Sequence, residues 1–402
     1  MKVLITHPGR QHSHQAALAL DGAGLLAGYW SGVPSSPEQG RFVPRPLWRR
    51  LIRYGPVALP ARLTRWAPAA PALRQIGHRL PEALGREIDF AACRIFDRQV
   101  ARRLARLPPT ERPDAVLACE ISALNTFEVA RRLGIRTWLD APSIHRRAQD
   151  RLHGTTDPPG LHSRIARVKD REIELADAIV TVSEFARTTY VDEGCAPERV
   201  RAVPLGADLE LFAPPADEPA RGPGSVFLFA GAPIVRKGFD LLLEAFARVA
   251  TAEPTAALRA VGPRGGEADR EGITFVGPVT QTQLAVEMSR ADCLVLPSRN
   301  DSYGMVVAEA LAAGLPVVVS DRVGASELVV PDENGWIVPA GDVEALGDRL
   351  LALARPPEGP ARLRAMRPKC RASASGATWD AYRERFEALA RELLAAPPGG
   401  RA

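Results

Sequence analysis

The sequence predicts an α/β protein made of two domains, each built on a parallel β-sheet. Three observations carry this. At 402 residues the chain exceeds what one hydrophobic core serves, so two domains of roughly 150 to 200 residues are expected. Its strand-like segments are unbroken apolar runs separated by helical segments, the pattern of strands buried on both faces. A Pro- and Gly-rich stretch interrupts this alternation once, and the alternation then restarts.

In the first half, "KVLITHP" (2–8) reads as a buried strand, followed by a loop and the helical pattern "SHQAALALDGAG" (13–24). "DAVLACE" (114–120), "RTWLDAP" (136–142) and "AIVTVSE" (178–184) repeat the strand pattern, with helical segments such as "ALNTFEVARRLG" between them. The stretch "GAGLLAG" (22–28) imitates a dinucleotide-binding fingerprint but follows a helix and precedes an apolar run. That order is the reverse of what such a site needs, so it reads as a helix C-cap leading into a strand. Residues 1–211 are the expected first domain, and 212–224 the linker. The second domain, 225–375, has "SVFLFAG", "ALRAVGP", "ITFVGPV", "CLVLPS" and "PVVVSD" as its strands. Residues 376–402 hold the amphipathic helix "WDAYRERFEALARELLAA" and a tail, expected to pack back on the first domain.

With 46% hydrophobic and 25% charged residues, the composition is that of a globular protein. No run of about 18 uncharged apolar residues marks a membrane span, and the chain is expected in the cytoplasm, peripheral to the inner membrane face at most. Five widely spaced cysteines without a C-x-x-C pair argue against a disulfide framework or a zinc site. A net charge of +5 over the whole chain is weak evidence for a nucleic-acid partner and none is expected, but its distribution is uneven. Between Glu38 and Glu82 no acidic residue occurs, while Arg41, Arg45, Arg49, Arg50, Arg53, Arg62, Arg65, Arg74 and Arg79 do. On a helical wheel "LWRRLIRY" (47–54) divides into an apolar face and an arginine face, which fits an anionic membrane surface or a helix packed on its own domain.

One residue stands out for its misfit. Between Met305 and Ala313 every residue is apolar except Glu309, and a carboxylate inside an apolar helix needs a partner. After Ser302, Tyr303 and Gly304 are expected to open the helix. The backbone N–H groups of Tyr303, Gly304, Met305 and Val306 can then face a phosphate. Asp301 stands in the loop ahead, and Glu309 sits roughly 7.5 Å further along the axis than Gly304. Two carboxylates flanking an anion-binding helix terminus suit a ligand with hydroxyls at both ends and phosphates between them, a nucleotide-sugar. The alternative is that Glu309 pairs with a buried Arg or Lys. In "FAGAPIVRKGFDLLLEAF" (229–246) a strand ends at Gly231, and Arg236 and Lys237 stand where a helix begins. Cations at a helix N-terminus are disfavoured unless an anion lies between, so they read as diphosphate ligands or, failing that, as a solvated basic loop.

These residues resemble the retaining glycosyltransferases of family 4, which have the GT-B fold: two Rossmann-like domains with parallel sheets facing across a cleft. Asp301-x7-Glu309 is similar to that family's Glu-x7-Glu motif, with Asp in the first place, and the likeness covers most of residues 178–350. The resemblance implies that Glu309 binds the ribose, that Asp301 contacts the donor sugar, and that Arg236 and Lys237 neutralise the leaving diphosphate without a metal. There are departures. Ala232 stands where many members carry Arg, a charge that Arg236 can replace. The loop "HPGRQHSH" has only Gly9 where a Gly-Gly pair is usual, and Glu120 stands where a His is frequent. Acceptor or diphosphate contacts are expected from Gly9, Arg10, His12, Ser13, Glu120 and His145, and no metal site from His12 and His14. The expected activity is hexosyl transfer from a UDP- or GDP-linked sugar to a hydroxyl acceptor, lipid-linked in cell-surface polysaccharide or glycolipid synthesis. A sugar-nucleotide epimerase and a non-catalytic nucleotide-sugar-binding protein are its rivals.

Overall fold

The computed structural model describes residues 1–34, 39, 57–67, 73, 77, 80–154, 157–215, 222, 224–263 and 271–396. The segment 47–54 lies outside them. Most apolar runs become largely buried strands, and β1 (Val3–His7) is buried at every position. With β2 (Leu26–Ser31), β3 (Thr64–Trp66), β4 (Ala115–Cys119), β5 (Arg136–Ala141), β6 (Ala178–Thr181) and β7 (Val200–Ala202) it forms a parallel sheet of order β3-β2-β1-β4-β5-β6-β7. A second parallel sheet runs β10-β9-β8-β11-β12-β13. Its strands are β8 (Val226–Ala230), β9 (Ala257–Val261), β10 (Ile273–Gly277), β11 (Cys293–Leu296), β12 (Val317–Ser320) and β13 (Gly335–Val338).

In each sheet the strand order reverses once, between β1 and β4 and between β8 and β11. Loops on either side of such a reversal diverge and leave a crevice at the carboxyl ends of the strands. The two crevices face each other across the domain boundary. Ile144 N–H donates to Ser302 Oγ at 3.1 Å, Ser183 Oγ donates to the Ser302 carbonyl at 2.5 Å, and Tyr303 Oη donates to the Leu205 carbonyl at 2.5 Å. The stretch Gly22–Gly28 is a helix end followed by β2, as its order in the sequence implies. The helix Trp379–Ala395 lies against the helix Ser13–Gly22 of the first domain, where Arg383 donates to Gln15 Oε1 at 2.6 Å. All five cysteines are buried and none is in a disulfide. Among the described residues no helix is long and apolar enough to cross a membrane.

Candidate active site

A cleft of about 980 Å³ lies between the domains, lined from both crevices. The second domain contributes Ala230, Gly231 and Ala232 at the end of β8, the turn with Arg236 and Lys237, and Asn300 to Val306 with Glu309. Local geometry fixes these groups. Gly238 takes φ +67°, and a Cβ there would stand 2.0 Å from the Pro297 carbonyl, so the turn Val235–Lys237 sits directly against the loop after β11. Arg299 clamps the same turn, donating to the Val235 carbonyl and, through two bonds of 2.7 Å, to Asp240. The basic pair is thereby held over Asp301. Lys237 Nζ is ion-paired with Asp301 Oδ2, and Arg236 Nη1 lies 3.9 Å from Asp301 Oδ1 and donates to the Asn300 carbonyl at 3.2 Å.

The helix Met305–Ala312 starts one residue after Gly304, which is its N-cap rather than its first residue. Gly304 has φ +83°, and a Cβ would come within 2.7 Å of Val323, so only glycine allows this close entry. Glu309 is 6% exposed and faces the cleft, with a hydrogen bond from Gln281. Among the described residues no Arg or Lys pairs with it, so the buried ion pair that was its alternative reading is not what the structure shows. Burial pushes its carboxyl up to about 7, and the Gln281 hydrogen bond works the other way. Asn300, which also lines the cleft, keeps a buried Nδ2 with no hydrogen-bond partner among the described residues.

The first domain's wall includes Gln11, His12, Glu120, Ser143 and Gln149. His12 shares a hydrogen bond of 3.0 Å with Asp140 Oδ1. Burial alone would lower its pKa, but the charge and hydrogen bond of Asp140 outweigh this and hold the imidazole above its ordinary value. Glu120 is ion-paired with Lys169 at 2.9 Å and accepts from Ser143 Oγ. Gly9, Arg10, Ser13 and His145 do not line the cleft. Ser13 Oγ is spent on the Arg10 carbonyl and Tyr29, and the His145 ring caps a helix by accepting from Arg147 N–H at 3.3 Å. At the ends of β1, β4 and β5, donor atoms of His7, Cys119 and Asp140 lie within 4.8 Å of one another. His7 Nδ1 already accepts from Gly9 N–H at 2.9 Å and Asp140 holds His12.

The sequence reading did not single out Gln281, Asn300, Ser143, Asp140 or Lys169. Two of them carried a signal, Asp140 as a carboxylate at the end of an apolar strand and Asn300 as the neighbour of Asp301; Gln281, Ser143 and Lys169 are joined to the site only by the packing of segments distant in sequence.

Two parallel-sheet domains facing across a cleft define the GT-B architecture. The same fold is seen in sucrose-phosphate synthase from Thermosynechococcus elongatus, with a TM-score of 0.72 over 99% of this chain and 100% of that one at 21% identity. HepE from Anabaena in complex with UDP gives 0.68 over 98% and 100% at 15% identity. Residues 224–355 match the model of the family described as "Glycosyl transferases group 1", and the second domain belongs to that family. A D-inositol 3-phosphate glycosyltransferase of Xylanimonas cellulosilytica is 30% identical over 62% of this chain and 65% of its own length. The enzyme of the same name from Jonesia denitrificans is 29% identical over 48% and 54%. The chain thus spans between half and two thirds of these two relatives.

Proposed function

We propose that this protein transfers a sugar from a nucleotide-diphosphate sugar to a hydroxyl acceptor with retention of configuration. The observation that carries the reading is Glu309: a buried carboxylate without a cationic partner among the described residues, facing the same cleft as an Asp301–Lys237–Arg236 cluster. In this reading Glu309 accepts from the ribose hydroxyls and Asp301 from the donor sugar. Lys237 and Arg236 turn from Asp301 to the diphosphate, and the amides at Gly304 to Val306 add to them. Charge builds on the leaving diphosphate in the transition state, so cations fixed beforehand in a closing cleft lower the barrier. A UDP-linked donor is favoured over a GDP-linked one because HepE, of the same fold, has been solved with UDP and with UDP-glucose. We place the reaction in the assembly of a cell-surface polysaccharide or glycolipid at the inner membrane face, on the strength of the acid-free basic segment between Glu38 and Glu82.

A panel of UDP- and GDP-sugars, read by released nucleotide and by the sugar's fate, tests this. Transfer or slow hydrolysis supports it; an isomerised sugar identifies an epimerase, and binding without turnover a non-catalytic protein. Activity that survives EDTA supports a metal-independent reaction. Lys237→Ala should lower turnover more than donor affinity, since leaving-group charge grows toward the transition state. A loss of affinity alone would make Lys237 a binding residue only.

A further inference from the structure

Away from the cleft, a second cavity of about 560 Å³ opens between the edge strand β3 and the helix Glu82–Ala105. Its lining joins three aromatic rings, Trp30, Trp66 and Phe96, to four guanidinium groups, Arg65, Arg102, Arg103 and Arg106. Phe96, Val100 and Arg103 follow one another on a single helix stripe, so the apolar floor and the basic rim come from the same face. Trp30 and Phe96 are buried, while the four arginines are exposed at the rim. Arg103 lies over the Trp30 ring, 5.4 Å from its centroid. Trp66 is fixed by donating its indole N–H to the Gly32 carbonyl at 3.0 Å.

No carboxylate is among the described lining residues, and none of the four arginines forms an ion pair with a described residue. Arg102 and Arg103 lie in the last turn of their helix, where cations offset the negative dipole end. That does not account for Arg65, which comes from the edge strand and brings a like charge to them. The Arg103 guanidinium is held below its ordinary pKa, by partial loss of water around it and by the neighbouring Arg65 charge. Like charges gathered over an aromatic floor are relieved by an anion that also carries an apolar body.

We infer that this cavity is a docking site for the phosphate headgroup of an anionic membrane lipid, the guanidinium groups taking the phosphate and Trp30 and Trp66 meeting the interfacial part of the lipid. The site is separate from the donor cleft and stands whether or not the transfer reading holds. It assigns membrane contact to particular residues of the first domain, distinct from Arg49, Arg50 and Arg53.

The test uses the full chain with phosphatidylcholine vesicles, with and without phosphatidylglycerol, read by co-sedimentation and tryptophan emission. Binding to the anionic vesicles alone, with a blue shift and release by salt, is expected. Arg65→Gln/Arg103→Gln/Arg106→Gln should weaken it tenfold or more while leaving UDP-glucose affinity unchanged. Trp66→Ala should reduce the emission shift with the arginines intact. Wild-type vesicle binding by the triple-arginine variant overturns the proposal, as does binding lost only in Arg49→Gln/Arg50→Gln/Arg53→Gln. Equal binding to neutral vesicles, no binding to either, or the same emission change with inorganic phosphate alone would overturn it too.

Discussion

Burial raises the Glu309 carboxyl from an ordinary 4.5 to about 7, which links this residue to pH in two ways. The folded state holds the Glu309 proton more tightly than the unfolded chain. Its contribution to stability is therefore complete below about pH 4.5 and is lost as pH rises through about 7. The cost at higher pH is at most roughly 3 kcal/mol, from 1.36 kcal/mol per pKa unit. Glu309→Gln should thus raise the melting temperature of the unliganded protein at alkaline pH and leave it unchanged in acid. Binding runs the other way, because a ribose hydroxyl bonds more strongly to the ionised carboxylate. UDP-glucose, whose phosphates do not titrate near neutrality, should bind the wild type more tightly as pH rises through about 7. The Gln variant should show a flat profile and an affinity lower by about tenfold or more. Calorimetric titration across that range checks both; a wild-type affinity indifferent to pH would separate Glu309 from the ribose.

At the scale of elements, the helix Leu124–Arg132 shows how the first domain's wall is set. Its own N-cap, Ala123, offers no side-chain bond, and two buried carboxylates from other helices take over. Asp97 accepts from the backbone N–H groups of Asn125 and Thr126 and from the Thr126 hydroxyl at 2.8 to 2.9 Å. Glu172 accepts from Ile121, Ala123 and Leu124 N–H at 2.7 to 3.0 Å. Asp97→Ala leaves several buried donors unpaired and should cost about 2 to 4 kcal/mol, seen as a lower midpoint in urea with an unchanged slope. Neither carboxylate stood out in the sequence, because each lies on an amphipathic helix where an acidic residue is ordinary and its partner is 28 to 51 residues away. The long buried strands were readable from the sequence because parallel strands are apolar on both faces. β3 and β7, three residues each, gave no such run, and neighbouring strands rather than their own pattern define them; β13, Gly335–Val338, is apolar but is not among the strands expected from the sequence. The donor wall was likewise readable, since Asp301 to Glu309 is one continuous stretch. The opposite wall collects one to three residues from each of several separate segments, so Glu120 was found and Lys169, its ion-pair partner, was not.

In the whole molecule, the chain crosses the boundary between the sheets twice, and its last segment ties the two domains together. After the second sheet it returns to the first domain at Ala377, whose carbonyl accepts from Ala207 N–H at 2.8 Å. Trp379, Tyr382 and Phe386 then present a run of packed rings, and the Tyr382 ring stands 6.2 Å from that of His12. Trp379 itself lines the cleft. This helix therefore supports the first domain's wall with a segment that follows the second domain in sequence. Ending the chain at Gly376 removes the buried faces of Tyr382, Phe386, Leu389 and Leu394, at about 1.5 to 3 kcal/mol for each large apolar side chain exposed. The loss falls on the first domain, whose helix Ser13–Gly22 loses its cover, while the donor-binding elements keep theirs. The truncated protein should melt in two steps instead of one, the first domain earlier, and should still bind UDP through the second. A single transition at the wild-type temperature would show that the segment is a peripheral attachment and that the first domain holds its shape without it.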